Sequence, residues 1–415
     1  MNLLDIFDEI ANIMQNDYSG CVVKKDWSDT EKYKQKLVKL HSKNMLTREK
    51  YKEIVDDYLL DYKDNHVIFL DKNSKDNNFS LGFSVRRFEN KLYVQNVWEE
   101  KTGLKKGDAI IEIDGQDIDK VAQNNLKLLF NQSNERQLWK NVLAKFQSCL
   151  VEHESGVKFQ IKLRKYPPHS EKSKYTCELI NENTLLMGFN NFTNYNKMQE
   201  LMDKNEEILT GTKNLIIDVR KNSGGYDSLF YPLLEYIFPY NFVLKDDYDM
   251  FFLHTERNYK NRMRMLNEYL KENDDETIRN FIKDLKVNMG KGFVSDSECG
   301  KEHIIKGRKG PEKVIVMIDR YCGSSGDSFA AICKKSPKIT LIGRPTFGVI
   351  DYSNVAEQIL EDGFSLIYST SVMNSVNYGK GIDNIGVQPD VYIPWTPEHI
   401  KRDVDLQKAK ELLKN

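Results

Sequence analysis

Cysteine is scarce in this chain: six in 415 residues (Cys21, Cys149, Cys177, Cys299, Cys322 and Cys333), scattered and with no C-x-x-C pair. That spacing argues against a zinc site and against a dense disulfide framework, and it fits a reducing cytoplasm. Net charge is nearly absent as well. With 61 Lys+Arg against 62 Asp+Glu the formal balance is −1, so no polyanion partner is implied and nucleic acid is a poor candidate. Long apolar runs are missing: no stretch reaches the roughly 18 residues that a membrane span needs. The first twenty residues carry Asp5, Asp8 and Glu9 early and lack a basic start, so they do not read as a signal peptide. Internal repeats and low-complexity tracts are also lacking.

What remains is a chain long enough for two or three domains, with 40% hydrophobic residues to build their cores. Leu4, Phe7, Ile10, Ile13 and Met14, then Tyr51, Ile54, Val55, Tyr58 and Leu59, recur at helical spacing and predict an N-terminal helical region over residues 1–77, with a turn near Asp17 to Asp26. A short strand-like run, Val67 to Leu70, follows Asp64-Asn65-His66.

Residues 78–166 are rich in short β patterns (FSLGFSVRRF, KLYVQNVW, DAIIEIDG, VKFQIKLRKY), with a short helix expected at Lys101 to Leu104 and a longer one over Asn124 to Leu150. The order resembles a PDZ domain. Leu81-Gly82-Phe83-Ser84 is similar to the loop whose N–H groups hold a peptide's terminal carboxylate, an anion site that needs no basic side chain. The run from Gly103-Leu104-Lys105-Lys106-Gly107-Asp108 to Asp114-Gly115 resembles the more specific signature of PDZ modules in processing proteases. Beyond Pro167-Pro168, strands and helices alternate through residues 167–415 as in an α/β core. The charged segment Tyr231 to Leu285 reads as a helical cap.

Two apolar strand patterns end in small-residue turns, where α/β sheets present ligands and catalysts. One is Leu215 to Gly225, whose Gly224-Gly225 pair could aim backbone N–H groups into a cleft as an oxyanion hole, or could simply be a turn. The other is Val314 to Asp327, which places Ser324 where a helix begins. A serine there could be a nucleophile favoured by the helix N-terminus, or an N-cap with a structural task.

Taken in order, DVRKNSGG (218–225), GSSGD (323–327), GRPTFG (343–348) and GVQPD (386–390) resemble the signature of the S41 peptidase family, over most of residues 64–415. The resemblance implies a ClpP/crotonase-like α/β core, Ser324 as nucleophile, and an oxyanion hole from the Ser325 N–H beside Gly224 or Gly225. The tail-specific branch of that family takes its base from the lysine of T-F-G-K. Val349 stands in that place here. The tricorn-like and chlamydial branch uses a histidine and a glutamate instead, which maps the base onto His66 of Asp64-Asn65-His66 and the acid onto Asp383. Serine is a weak nucleophile that needs a base titrating near neutrality and a group to orient it, so the set is chemically coherent. His66 could equally be structural, and Asp383 could hold a turn.

These readings imply a serine endopeptidase acting on protein or peptide substrates through an acyl-enzyme, with no metal or organic cofactor. The rival is a non-catalytic protein binding peptides or apolar ligands on the same fold, as in the interphotoreceptor retinoid-binding protein. Cys322 is expected to be a buried small residue, His254 to lie in the helical cap, and Asp218 and Arg220 to form a structural pair.

Overall fold

The computed structural model describes residues 2–74, 79–169, 172–245, 248–296 and 302–414; Cys299 lies outside them. Two compact units emerge: Met1–Asn73 with Ser173–Tyr392 and Leu413–Asn415, and Ser74–Lys172 with Ile393–Leu412. Among the described residues, no helix is long and apolar enough to cross a membrane.

Continuous apolar runs mark strands covered on both faces, and two such runs form the centre of the first unit. Asn214–Asp218 and Lys313–Ile318 are adjacent and parallel, with Leu215 beside Val314 and Asp218 beside Met317. They belong to a six-stranded sheet ordered Val391–Tyr392, Ile339–Gly343, Lys313–Ile318, Asn214–Asp218, Thr184–Phe189, Tyr175–Asn181. Its last strand is antiparallel to its neighbour. Parallel neighbours require crossover connections; the helices Tyr195–Gly211 and Ser325–Cys333 lie in two of them. Leu215, Ile217, Val316 and Ile318 share one core with Phe189, Phe192, Phe230 and Phe329.

A second, antiparallel sheet is built on the long strand Phe364–Met373. Tyr352–Ile359 pairs along one edge, while Ile68–Asp71 and Met250–His254 share the other. Onto this sheet pack the helices Leu3–Asn16, Thr30–Ser42 and Arg48–Leu60, capped by Asn2, Asp29 and Thr47. Phe7, Ile10, Met14, Tyr51, Val55 and Tyr58 are buried in one core with Phe364, Leu366 and Tyr368. The helices anticipated as a separate region 1–77 are thus part of the same unit as strands three hundred residues later. The apolar stripes that made them legible as helices do not disclose what covers the stripe.

The second unit is an antiparallel sheet ordered Phe83–Phe88, Lys91–Val97, Ala109–Ile113, Ser148–Glu152, Lys158–Lys162, with Gln116–Asp117 hairpinned onto Ala109–Ile113. Residues 393–412, assigned by sequence to the 167–415 core, belong here: Trp395 packs edge-on to Phe88 and tilted to Tyr93.

Two element assignments change. Asn124 to Leu150 is not one helix. Phe130 adopts a left-handed φ of 58°, the helices on either side are four residues long, and Ser148–Glu152 is a strand with Cys149 and Val151 buried. The segment Tyr231 to Leu285 is not wholly helical. The strands Phe242–Leu244 and Met250–His254 precede the helices Glu256–Tyr269 and Glu276–Asn288, so His254 ends a strand. There it is buried, which holds its titration below the ordinary histidine range.

Candidate active site

Because Asn214–Asp218 and Lys313–Ile318 run parallel and in register, the turns at their carboxyl ends emerge side by side. Asn222 fastens them together. Fully buried, it accepts the Gly323 N–H on its carbonyl (2.9 Å) and the Gly224 N–H on Oδ1 (2.9 Å), and donates from Nδ2 to the Phe189 carbonyl (3.2 Å). Nothing in the sequence distinguishes Asn222 from a solvated polar turn residue; only its partners mark it as a cross-link.

Ser324 sits on this junction at φ 55°, ψ −122°, a conformation that L-residues rarely adopt and that costs about 1–3 kcal/mol. Such a strained strand-to-helix turn lifts a serine side chain clear of its neighbours. The strain is held by Asp327, which is fully buried at the third position of the following helix. Its carboxylate accepts N–H groups from Ser324 (2.9 Å), Gly348 (2.9 Å) and Val349 (3.1 Å). Burial raises the titration of Asp327, opposed by these bonds and by the Thr346 side chain.

A strained φ predicts an unusual stability order. At an ordinary helical position Gly is less stable than Ala by about 0.5–1 kcal/mol. At Ser324 the order should reverse, so Ser324→Gly is expected to melt at or above Ser324→Ala in paired thermal unfolding.

Gly224 lies directly against the serine: a Cβ built on it would stand 2.6 Å from Ser324 Cβ and 3.1 Å from Ser324 Oγ. Gly225 has φ 144° and runs beside Phe192. Ser325 opens the helix and donates its Oγ to the Gly225 carbonyl at 2.8 Å. These four residues, expected together, are together. The Gly224 N–H is engaged by Asn222, which bears on which amides can serve an oxyanion.

The GRPTFG and GVQPD segments act as struts. Arg344, buried, pairs with Asp319 at 3.0 Å, and the Phe347 N–H donates to the Cys322 carbonyl at 2.6 Å, securing both ends of the serine turn. Asp390 accepts the Leu341 N–H at 2.8 Å, and Val387 N–H donates to Thr346 Oγ1 at 2.7 Å. Arg220 and Asp218 form the expected pair, 2.7 Å apart. Cys322 is fully buried and burial pushes its thiol well above the ordinary range, the mark of an inert cysteine.

From Thr346 the chain runs on to Tyr352 and the second cluster. The Tyr352 carbonyl lies 2.8 Å from His66 Nδ1. A carbonyl can only accept, so Nδ1 carries the hydrogen and, in the neutral ring, Nε2 keeps its lone pair. Asp64 holds the same segment by accepting the His66 N–H (2.8 Å) and the Ser369 hydroxyl (3.0 Å), with its Oδ1 3.9 Å from His66 Nδ1. The hydrogen bonds of Asp383 go to Asp351: Oδ1 accepts the Asp351 N–H at 3.0 Å, and its own N–H donates to Asp351 Oδ2 at 2.7 Å. Asp383 therefore reaches the imidazole through the backbone of Asp351 and Tyr352. Burial first, then the charges of Asp64 and Asp351, push Asp383 well above the ordinary carboxylate range.

Asp227, two residues past the glycine pair, is an addition that the sequence did not signal. Its carboxyl is hydrogen-bonded with the Ser325 and Ser328 side chains and is raised by burial to about 6. A folded value above the ordinary 3.8 means that the native state holds a proton which the unfolded chain releases, so stability falls as pH rises from about 4 through 6. Asp227→Asn should accordingly stabilise the protein at pH 8 by on the order of 1 kcal/mol, given the group's partial exposure, and do little at pH 4. Chemical unfolding at the two pH values measures this; an equal effect at both would contradict it.

In the second unit Leu81 and Phe83 are buried and Gly82 has φ 80°. The Gly82 N–H donates to Ser80 Oγ at 2.9 Å, and Ser84 Oγ accepts from Asn96 at 3.0 Å.

A serine on a strained strand-to-helix turn, braced by a buried carboxylate beside a glycine turn, defines a serine-hydrolase type of site on an α/β core. Residues 184–393 match the profile of Peptidase family S41. The chain belongs to peptidase family S41, a class of serine-type peptidases, as the sequence signature implied. It is 30% identical over 166 residues to the tricorn protease of Thermoplasma volcanium (36% of this chain, 16% of that protein), and 30% identical over 139 residues to that of Thermoplasma acidophilum (30% and 13%). The chain thus matches only a small part of those proteins' length. In fold it is similar to mature CPAF complexed with lactacystin: TM-score 0.67 and 14% identity, covering 100% of this chain and 97% of the other.

Proposed function

We propose that this chain is a serine endopeptidase in which Ser324 attacks a peptide carbonyl and His66 is the general base. The observation that carries the reading is the φ of 55° at Ser324 with the Gly224 backbone pressed against it, strain that a simple N-cap has no use for. His66 Nε2 takes the Oγ proton as Oγ bonds to the carbonyl carbon. Oxygen becomes an oxyanion facing amides at the helix start, Ser325 beside Gly225, since the Gly224 N–H is already engaged. Collapse breaks the C–N bond, and His66 returns the proton to the leaving amine. Water repeats the sequence on the acyl-enzyme, releasing the acid and freeing Ser324. The Tyr352 carbonyl orients the ring, and Asp383, one step behind, fastens the Asp351–Tyr352 backbone that carries this carbonyl.

The second unit is proposed to recruit extended peptide segments as a PDZ-like module. Phe83–Phe88 stands at the end of the sheet order, the position that strand addition uses. A terminal carboxylate at Leu81 to Ser84 would have to displace Ser80 Oγ from the Gly82 N–H.

The test is cleavage of casein by the full chain, together with covalent labelling by a fluorophosphonate. Cleavage and labelling that both vanish in Ser324→Ala support the reading. A folded wild type that neither cuts nor labels overturns it.

A further inference from the structure

The glycine turn beside Ser324 is held from two sides. Its far side runs along Phe192: the Phe192 N–H donates to the Gly224 carbonyl (2.8 Å), and the Tyr226 N–H donates to the Phe192 carbonyl (2.8 Å). Phe192 is fully buried, edge-on to Phe230 and Phe329, so this backbone is fixed to the core. In a trans peptide the C=O and the N–H point opposite ways. The Gly225 N–H shares a peptide plane with the Gly224 carbonyl, and the Gly225 carbonyl shares one with the Tyr226 N–H, so both Gly225 groups face away from Phe192. Ser325 stands on that other side and donates its Oγ hydrogen to the Gly225 carbonyl at 2.8 Å.

Two amides on this side are unspent. Among the described residues nothing accepts from the Gly225 N–H, and Gly225 is exposed. The Ser325 N–H opens a helix, where the first N–H groups have no intrahelical acceptor. The Gly224 N–H, by contrast, is taken by Asn222 Oδ1 at 2.9 Å. Phe192 thus sets which way the Gly225 amide points, while its spacing from the serine turn is set by what ties the two turns together. One tie is the Gly323 N–H on the Asn222 carbonyl (2.9 Å), and the other, at Gly225 itself, is the Ser325 hydroxyl.

We infer that the Ser325 side chain is a positioning group of the oxyanion hole: by drawing the Gly225 carbonyl to the helix start, its hydroxyl sets the spacing at which the Gly225 and Ser325 N–H groups converge on one oxygen. This rests on the serine-peptidase reading. Oxyanion donors act at about 2.7–3.1 Å, so a turn free to drift by a few tenths of an ångström loses much of their effect. The hydroxyl has one hydrogen and a carbonyl can only accept, so that hydrogen goes to Gly225. The Asp227 carboxyl, bonded with the Ser325 and Ser328 side chains, then meets the Ser325 oxygen as a donor in its protonated form, which burial favours. Those two helix hydroxyls are the groups facing Asp227, and no charged side chain among the described residues acts on it. Once ionised, Asp227 competes with Gly225 for the hydrogen, so the tie slackens as pH rises through about 6.

The experiment is saturation kinetics of fluorophosphonate labelling in the full chain at pH 5 and pH 8, with folding followed by circular dichroism, for wild type, Ser325→Ala, Asp227→Asn and Ser325→Ala/Asp227→Asn. In labelling, Ser324 Oγ bonds to phosphorus as fluoride leaves, and the phosphoryl oxygen takes the place of the peptide oxyanion. Losing a donor outright costs about 100 to 1,000-fold. Ser325→Ala keeps both N–H groups and loosens one, so at pH 5 its maximal labelling rate is expected about tenfold below wild type, with the half-saturating probe concentration changed by less than about twofold. Asp227→Asn, whose amide donates at every pH, should label about threefold faster than wild type at pH 8 and no faster at pH 5, and the gain should vanish in the double variant. A folded Ser325→Ala with the wild-type maximal rate, or with its loss in the half-saturating concentration alone, overturns the inference. So does an Asp227→Asn gain that survives without the Ser325 hydroxyl, or the lack of any gain at pH 8, which is the deciding arm if Ser325→Ala fails to fold. A wild type that does not label overturns the peptidase reading as well, whereas a wild type that labels with none of these effects in the variants overturns this inference alone.

Discussion

Ser324→Ala should cut casein at least about 10⁴-fold more slowly than wild type, with its thermal midpoint nearly unchanged. The substitution deletes one oxygen. It leaves the strained backbone, the Asp327 carboxylate that accepts the Ser324 N–H, and the buried Asn222 in place. His66→Ala should lose a similar factor, because serine without a base is a weak nucleophile. Groups that act as a unit are not additive, so the double variant should be no slower than Ser324→Ala. Measured kcat values for the three proteins decide the matter: a His66→Ala enzyme with full activity would assign the base elsewhere.

Gly225→Ala should be strongly destabilising. A Cβ at this position would lie 1.9 Å from the Phe192 carbonyl oxygen and 2.4 Å from its carbon, so the obstacle is backbone. That backbone cannot retreat cheaply, because the Phe192 N–H donates to the Gly224 carbonyl (2.8 Å) and the Tyr226 N–H to the Phe192 carbonyl (2.8 Å). A loss above about 4 kcal/mol is expected, seen as a fall of about 10 °C in thermal midpoint or as insoluble protein. Gly379→Ala is the control. Its φ of 65° is also left-handed, but nothing lies within 4 Å of the added carbon, so it should cost only about 1 kcal/mol. Equal losses at the two positions would show that φ, and not the close approach to Phe192, sets the penalty.

The parts of the site that were legible are those where one residue type answers a local demand. Paired glycines at φ 92° and 144° announce themselves because no other residue tolerates that backbone beside a serine. Ser324 before an apolar helix was visible for the same reason, whereas the bracing task of Asp327 was not. Asn222 and Asp227 were not. A polar residue in a turn looks alike whether it faces water or ties three strands together, and only the partners tell the two apart.

The long helix drawn over 124–150 fails for a related reason. Short amphipathic helices and a half-buried strand share the same sparse apolar spacing, and the strand Ser148–Glu152 is decided by the two strands that flank it.

By itself the sequence determined the local chemistry: which strands are buried on both faces, where paired glycines turn the chain, and which serine stands at a helix start. Those are set by backbone sterics and apolar periodicity, which act over a few residues. Tertiary structure alone decided that two turns a hundred residues apart meet, since parallel strands in register release their ends side by side. It also decided that His66 finds its partner in a backbone carbonyl of Tyr352. Burial makes those long-range pairings matter, because charge and hydrogen bonding gain their strength only where water is excluded.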